Sequence, residues 1–257
     1  MAIGFEQYLQ KRYLRVAEKF SSNTCPGCGL GILKGLILRV IDELKIDMDN
    51  LLMVAGIGCS ASYVGSAFNV DTLHTTHGRA IAFATGAKMF NPQLKVIVAS
   101  GDGDLGDIGG NHLIHAARRN IDLTVIMVNN MLYGMTGGQA SCTTPVGALT
   151  LTTQKGNPYR PFDFPKLMKA AGAAYVARYS VTQPLALMNS IKKALETQGF
   201  SFIEVLAPCP VQFGRRNKLD TPADMFKFLM DKCISAEGLE AEELRDKIIT
   251  GELSDGG

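Results

Sequence analysis

Net charge is nearly absent from this 257-residue sequence: 26 Lys and Arg stand against 24 Asp and Glu, leaving +2. That balance argues against a general binder of nucleic acid or of membrane surfaces. Long uncharged apolar runs are also missing, so no segment is suited to cross a bilayer. The first twenty residues, MAIGFEQYLQKRYLRVAEKF, are amphipathic and dotted with charge, unlike a signal peptide. The expected location is therefore the cytoplasm, where thiols stay reduced, and the six cysteines point to metal, redox or catalytic work in preference to a disulfide frame. Internal repeats and low-complexity tracts are lacking. Histidine is scarce, with four residues in two pairs (His74 and His77, His112 and His115), and no third zinc ligand follows at the usual spacing. Only 19% of residues are charged while 46% are apolar, which excludes disorder and supplies a sizeable core. The expectation is one domain over 1–257, with a CxxC segment at about 20–30 and a C-terminal extension at about 219–257.

What is present is an alternation of helical and extended segments. GLGILKGLILRVIDELK (29–45), HGRAIAFATGAKMF (77–90), GNHLIHAARR, FPKLMKAAG and QPLALMNSIKKALETQ carry helical spacing or composition. LLMVAGIG (51–58), LKVIVAS, LTVIMVNN (123–130), AAYVARY and FSFIEVLAP read as buried strands. Continuous apolar strands alternating with helices predict an α/β fold, a mostly parallel sheet with helices on both faces. The segment 131–161 is long for a passive connection and is expected to be functional. The tail AEGLEAEELRDKIITGELSDGG reads as a polar helix.

Ligands of open parallel sheets sit at the carboxyl ends of the strands. Three such ends carry unusual residues: Gly58-Cys59, Gly101-Asp102-Gly103 and Asn129-Asn130. SGDGDLGDIGG (100–110) is too acidic to hold phosphate directly. It suits a phosphate bridged by Mg2+, which takes a carboxylate, an amide oxygen, a backbone carbonyl and phosphate oxygens. Asp102 supplies the carboxylate and Asn130 the amide oxygen, while the glycines let backbone approach. Asp104 and Asp107 are expected to cap the following helix. Among the cysteines, Cys25 and Cys28 form a CxxC, and Cys59 and Cys209 each follow a strand. From the residues alone three readings stand: a dithiol redox pair, a structural zinc site, or an iron–sulfur cluster with widely separated ligands.

GDG followed by NN at the next strand end resembles the motif of thiamine diphosphate enzymes. The order CPGCG, GIGCS, HTTHGRA, GDGD, NN, TGGQ and APC, spanning about 20–218, resembles the beta subunit of 2-oxoacid:ferredoxin oxidoreductases. FNVDTLHTTHGRAIAFATG and FGRRN look most like the 2-oxoglutarate type, although CSASYVG, with Ser60 and Ser62, lacks the basic residue that members often carry there. The resemblance implies the thiamine diphosphate-binding, diphosphate-side fold. It implies Cys25, Cys28, Cys59 and Cys209 as ligands of one [4Fe-4S] cluster, and the Leu132 carbonyl as third protein ligand of Mg2+ beside Asp102 and Asn130. Ile57, Gly58, Cys59, Ser60, His77, Gly78, Gly101, Asp102, Gly103, Asp104 and Asn130 would surround thiamine diphosphate, and Leu132, Gly134, Met135, Thr136, Gly137, Gly138 and Gln139 would wrap its diphosphate. His77 is the catalytic candidate, weighed against simple helix capping. Cys142 and Cys233 receive no ligand role, Cys233 being expected to pack on a helix.

The implied reaction is oxidative decarboxylation of a 2-oxoacid, with coenzyme A accepting the acyl group and ferredoxin the electrons. 2-Oxoglutarate is the first substrate candidate and a branched-chain 2-oxoacid the alternative, with a non-redox decarboxylase or lyase subunit behind them. Arg215, Arg216 and Lys218 are candidates for docking acidic ferredoxin, or else a basic solvent-facing loop. No glutamate follows a strand end within a glycine-rich loop. The glutamate that activates thiamine is therefore expected from a separate alpha subunit, with the cofactor at the interface. Neither nucleic acid nor membrane is expected as a partner.

Overall fold

The structure is a computed structural model that describes residues 4–15, 24–235 and 246–253. Seven helices are formed by these residues: α1 (Phe5–Tyr13), α2 (Leu30–Glu43), α3 (Ala80–Phe90), α4 (Gly110–Arg118), α5 (Phe164–Ala171), α6 (Pro184–Glu196) and α7 (Pro222–Lys232). The strands are β1 (Leu51–Ala55), β2 (Asp71–His74), β3 (Lys95–Gly101), β4 (Thr124–Asn129), β5 (Leu132–Tyr133), β6 (Gln139–Ala140), β7 (Tyr175–Ser180), β8 (Ser201–Leu206), β9 (Cys233–Ser235) and β10 (Ile248–Glu252). Eight of them make one sheet in the order β2-β1-β3-β4-β8-β7-β10-β9, while β5 and β6 form a separate hairpin.

All pairings in the large sheet are parallel except β10 against β7. The central strands are buried on both faces, which is why they read as unbroken apolar runs. Alternation still divides them. Val96, Val98, Val125 and Met127 face α3, α4 and α5, whereas Ile97, Ala99, Ile126 and Val128 face α1, α2 and α6. On α2, Leu33, Ile37 and Ile41 recur every fourth residue and are fully buried against Leu187 and Ile191 of α6.

Two elements differ from the sequence reading. β2 is a mostly exposed edge strand, so its DTLH lacks the apolar run that marks the central strands. The tail was read as a helix. Residues 236–245 and 254–257 lie outside the described residues, but 248–252 form β10, which lies antiparallel on β7. Cys233 is buried as expected, although it opens β9 and is not on a helix.

Candidate active site

β1, β3 and β4 are neighbours in register, so their carboxyl ends open onto one cleft. Its lining includes Ile57, Gly58, Cys59 and Ser60 after β1, Gly101 to Asp104 at β3, His77 before α3, and Asn130 and Leu132 to Thr136 after β4. Of the remaining predicted residues, Gly78 lies just behind the cleft. Gly137 and Gly138 lie in the turn of the β5–β6 hairpin and Gln139 opens β6, where it and Thr136 hydrogen-bond each other.

Asp102 is buried at 1% exposure. Its Oδ2 accepts hydrogen bonds from Ser141 Oγ and Thr143 Oγ1, both at 2.6 Å. Burial nevertheless pushes its carboxyl up to about 6, against the lowering effect of those hydroxyls, so a cation is the natural partner of the ionised form. The inward amide atom of Asn130 lies 3.1 Å from Asp102 Oδ1 and 2.7 Å from the Leu132 carbonyl. With nitrogen inward these are two hydrogen bonds. With oxygen inward three oxygens face one another with no proton among them, the donor set of a hard divalent cation.

The turn that produces this meeting is strained. Met131 holds φ 69, a left-handed conformation unusual for its residue type. Asn129 Oδ1 accepts from its N–H at 3.0 Å and Thr144 Oγ1 donates to its carbonyl at 2.6 Å. Asn129 in turn donates to buried Glu204, which is paired with Arg178, itself 2.7 Å from Asp163. Glu204 is thus fully engaged inside the sheet.

Asp104 and Asp107 do not cap α4, whose first turn follows Gly109 with no side-chain cap. Asp107 accepts from the Cys142 N–H at 3.1 Å. Asp104 is buried beneath the cleft, held by Ser100, Ile57, Gly78 and His77. The sequence reading missed Tyr133, whose hydroxyl donates to the Gly103 carbonyl at 3.1 Å. Its ring leaves no room for a side chain on residue 103: a Cβ there would lie 2.5 Å away. It also missed Ser141 and Thr143, whose only signal was their place in the long segment after β4.

Cys59 and Cys209 border the same cleft. A Cβ on Gly134 would lie 3.6 Å from Cys209 Sγ and 3.8 Å from Cys59 Sγ. Burial pushes the Cys59 thiol up to about 11, with further contributions from Cys209, Cys25 and Cys28, so the four sulfurs are electrostatic neighbours. Among the described residues, no three His, Cys, Asp or Glu side chains are grouped as a single metal ion needs. Cys142 belongs instead to the core around Phe164, where burial and then Asp107 and Asp102 raise its thiol well above the ordinary value. Arg216 is half-buried, donating to Gln212 and to the Gly137 carbonyl at 3.1 Å, while Arg215 and Lys218 are exposed.

Residues 56–205 match the family model of the thiamine pyrophosphate enzyme C-terminal TPP binding domain. The chain is 49% identical over 247 residues to the 2-oxoglutarate synthase subunit KorB of Methanothermobacter marburgensis, covering 95% of this chain and 86% of that one. It is 39% identical to the 2-oxoacid:ferredoxin oxidoreductase subunit beta of Saccharolobus solfataricus, over 87% of this chain and 74% of that protein. The chain belongs to the beta subunits of 2-oxoacid:ferredoxin oxidoreductases. It is therefore one subunit of a thiamine diphosphate-dependent oxidoreductase, and the cleft at the strand ends falls within the matched TPP-binding domain. The structure of this beta subunit also matches the 2-oxoglutarate:ferredoxin oxidoreductase from Magnetococcus marinus with 2-oxoglutarate, coenzyme A and succinyl-CoA bound. The TM-score is 0.82 at 33% identity, covering 95% of this chain and 84% of that one. Among the described residues no helix is long and apolar enough to cross a membrane.

Proposed function

We propose that this beta subunit takes part in the oxidative decarboxylation of 2-oxoglutarate. Carbon dioxide leaves, the remaining acyl group forms a thioester with coenzyme A as the thiol gives up its proton, and two electrons pass singly to two ferredoxins. The observation that carries this reading is the meeting of Asp102, Asn130 and the Leu132 carbonyl beside Cys59 and Cys209 in one cleft. Asp102, Asn130 and Leu132 would hold Mg2+, and Cys25, Cys28, Cys59 and Cys209 a [4Fe-4S] cluster. Thiamine diphosphate supplies the electron sink for the charge left by decarboxylation. Mg2+ held at the β3 and β4 ends would let the protein orient it, and a cluster held by the four cysteines would supply a one-electron acceptor, which separates this class from simple decarboxylases. 2-Oxoglutarate is favoured because relatives at about half identity carry that substrate in their names, as does the structural neighbour.

The cleft is one half of a site. Among the described residues no glutamate lines it. Glu204, the buried one, is committed to Arg178 and Asn129. Apolar side chains at the rim, Ile57 and Met135, stand 44% and 53% exposed. These features support an alpha subunit that covers the cleft and brings the activating glutamate. Iron, sulfide and thiamine measured on one anaerobic sample of the assembled enzyme test the cofactor set: four iron and four sulfide per beta subunit at this site are expected, and zinc in place of iron would overturn it. Coenzyme A-dependent viologen reduction across a panel of 2-oxoacids tests the substrate. 2-Oxoglutarate should rank first, and a branched-chain acid far ahead of it would overturn that choice.

A further inference from the structure

Asp104 was expected to be an N-terminal cap and is instead the most constrained carboxylate at the cleft. Its side chain is 1% exposed. Oδ1 accepts from Gly78 N–H at 2.8 Å, Ile57 N–H at 3.2 Å and His77 Nδ1 at 2.5 Å, and Oδ2 accepts from Ser100 Oγ at 2.7 Å. The four donors come from three segments: the end of β3, the turn after β1, and the two adjacent residues that lead into α3. Gly56 closes the remaining space, since a Cβ there would lie 1.9 Å from Oδ2. The carboxylate cannot swing away without opening several buried hydrogen bonds.

Of the two side-chain donors, Ser100 and His77, His77 is the one that lines the cleft, its side chain 36% exposed beside Asp102 and Asn130. The Tyr133 ring meets it edge-on at 6.1 Å, and Tyr133 is itself tied to the Gly103 carbonyl. An ionised carboxylate only accepts hydrogen bonds, so Nδ1 must be the protonated nitrogen of a neutral His77. The other nitrogen, Nε2, then carries the lone pair, on a ring that lines the cleft.

We propose that Asp104 is a positioning residue for the reaction: it fixes His77 as the Nδ1–H tautomer and presents Nε2 to the cleft as the atom that takes up and returns a proton. The proposal rests on the oxidoreductase reading above for the use of that proton, while the tautomer itself does not depend on the substrate. Proton uptake at Nε2 needs no ring rotation, because Nδ1 stays bonded to Asp104 in both states. The arrangement has the logic of second-layer carboxylates that orient catalytic or metal-bound imidazoles.

The test uses the assembled enzyme containing isotopically labelled histidine. Nitrogen NMR on neutral His77, assigned by its disappearance in His77→Gln, should show a protonated Nδ1 and a bare Nε2. In Asp104→Asn the amide oxygen should keep the Oδ1 place, because the Gly78 and Ile57 N–H groups need an acceptor there, while the NH2 turns to Ser100 Oγ. The Nδ1–H tautomer is kept, but its partner is neutral and no longer steadies a protonated His77. kcat should then fall by roughly 10²- to 10⁴-fold, the scale seen when a carboxylate that orients a catalytic histidine is made an amide. KM and the affinity for magnesium and thiamine diphosphate should stay within a few-fold. His77→Gln should lose kcat comparably, and the double variant should be no worse than either single one. A parent enzyme whose neutral His77 is Nε2–H overturns the assignment, even if Asp104→Asn fails to fold. A His77→Gln enzyme with full kcat also overturns it, as does a loss of thiamine affinity in Asp104→Asn as large as in Asp102→Ala. If no 2-oxoacid is turned over by the parent while the Nδ1–H tautomer is observed, the oxidoreductase reading fails and the Asp104–His77 geometry stands.

Discussion

At the scale of single residues, the cleft depends on how one carboxylate is oriented. Asp102 presents one oxygen inward only because Ser141 and Thr143 occupy the other, each at 2.6 Å. A hydrogen bond to a charged group contributes about 1.5–3 kcal/mol, so Ser141→Ala or Thr143→Val should weaken magnesium-dependent thiamine diphosphate binding by roughly ten- to a hundredfold. Thr143→Ser should restore most of it. Titration calorimetry on the assembled enzyme measures all three, and unchanged affinity in both deletions would show that Asp102 needs no such support. The sulfurs make a parallel case. Cys25→Ala and Cys209→Ala should each abolish the four-iron signal, because three thiolates rarely hold the cube. An unchanged iron count in either variant would remove that cysteine from the ligand set.

At the scale of elements, two side-chain bonds set how neighbouring pieces dock. The Tyr13 hydroxyl at the end of α1 donates to Asp42 Oδ1 near the end of α2 at 2.6 Å. This bond is the main cause holding the Asp42 carboxyl below its ordinary value, and burial pushes the Tyr13 hydroxyl up to about 12. A carboxyl lowered by folding contributes stability above the ordinary carboxylate value and loses it as pH falls through its folded value. Tyr13→Phe should therefore cost on the order of 1 kcal/mol near neutrality. Its denaturation curve should approach the parent's below about pH 3.9, the ordinary aspartate value. A difference that persists undiminished in acid would mean that packing and not this bond is lost. The second bond pins the turn after β4. Thr144→Val frees the Met131 carbonyl, and the strained residue, whose conformation costs about 1–3 kcal/mol, is then free to relax. Asn130 and the Leu132 carbonyl should separate, and thiamine affinity should fall although neither residue is changed.

At the scale of the whole molecule, the cleft opens at one end of the sheet, with exposed apolar residues at its rim and no described glutamate in its lining. The beta subunit alone should bind thiamine diphosphate weakly and turn nothing over. Reconstituted with magnesium, thiamine diphosphate and iron–sulfur, it should gain coenzyme A-dependent viologen reduction only when the partner subunit is added. Sustained turnover by the isolated chain would show that the site is complete within it.

Much of this was open to reading in the sequence. Apolar periodicity determined the helices α2 to α6 and the strands β1, β3, β4, β7 and β8, because segments buried on both faces must be apolar throughout. Gly101-Asp102-Gly103 and Asn129-Asn130 pointed to two strand ends that the fold does bring together, because such polar and glycine-rich residues stand out directly after buried apolar strands. The spacing of Cys25, Cys28, Cys59 and Cys209 allowed several metals, and only resemblance chose among them. Tertiary structure alone decided the rest. β2 and β10 sit at or near sheet edges, where partners rather than composition define a strand. The supports at Ser141, Thr143 and Tyr133, and the fate of Asp104, depend on contacts between residues distant along the chain. A carboxylate beside a helix start has the same local sequence whether it caps that helix or, as here, reaches back to hold His77, and only the packing of β1, β3 and α3 around it distinguishes the two.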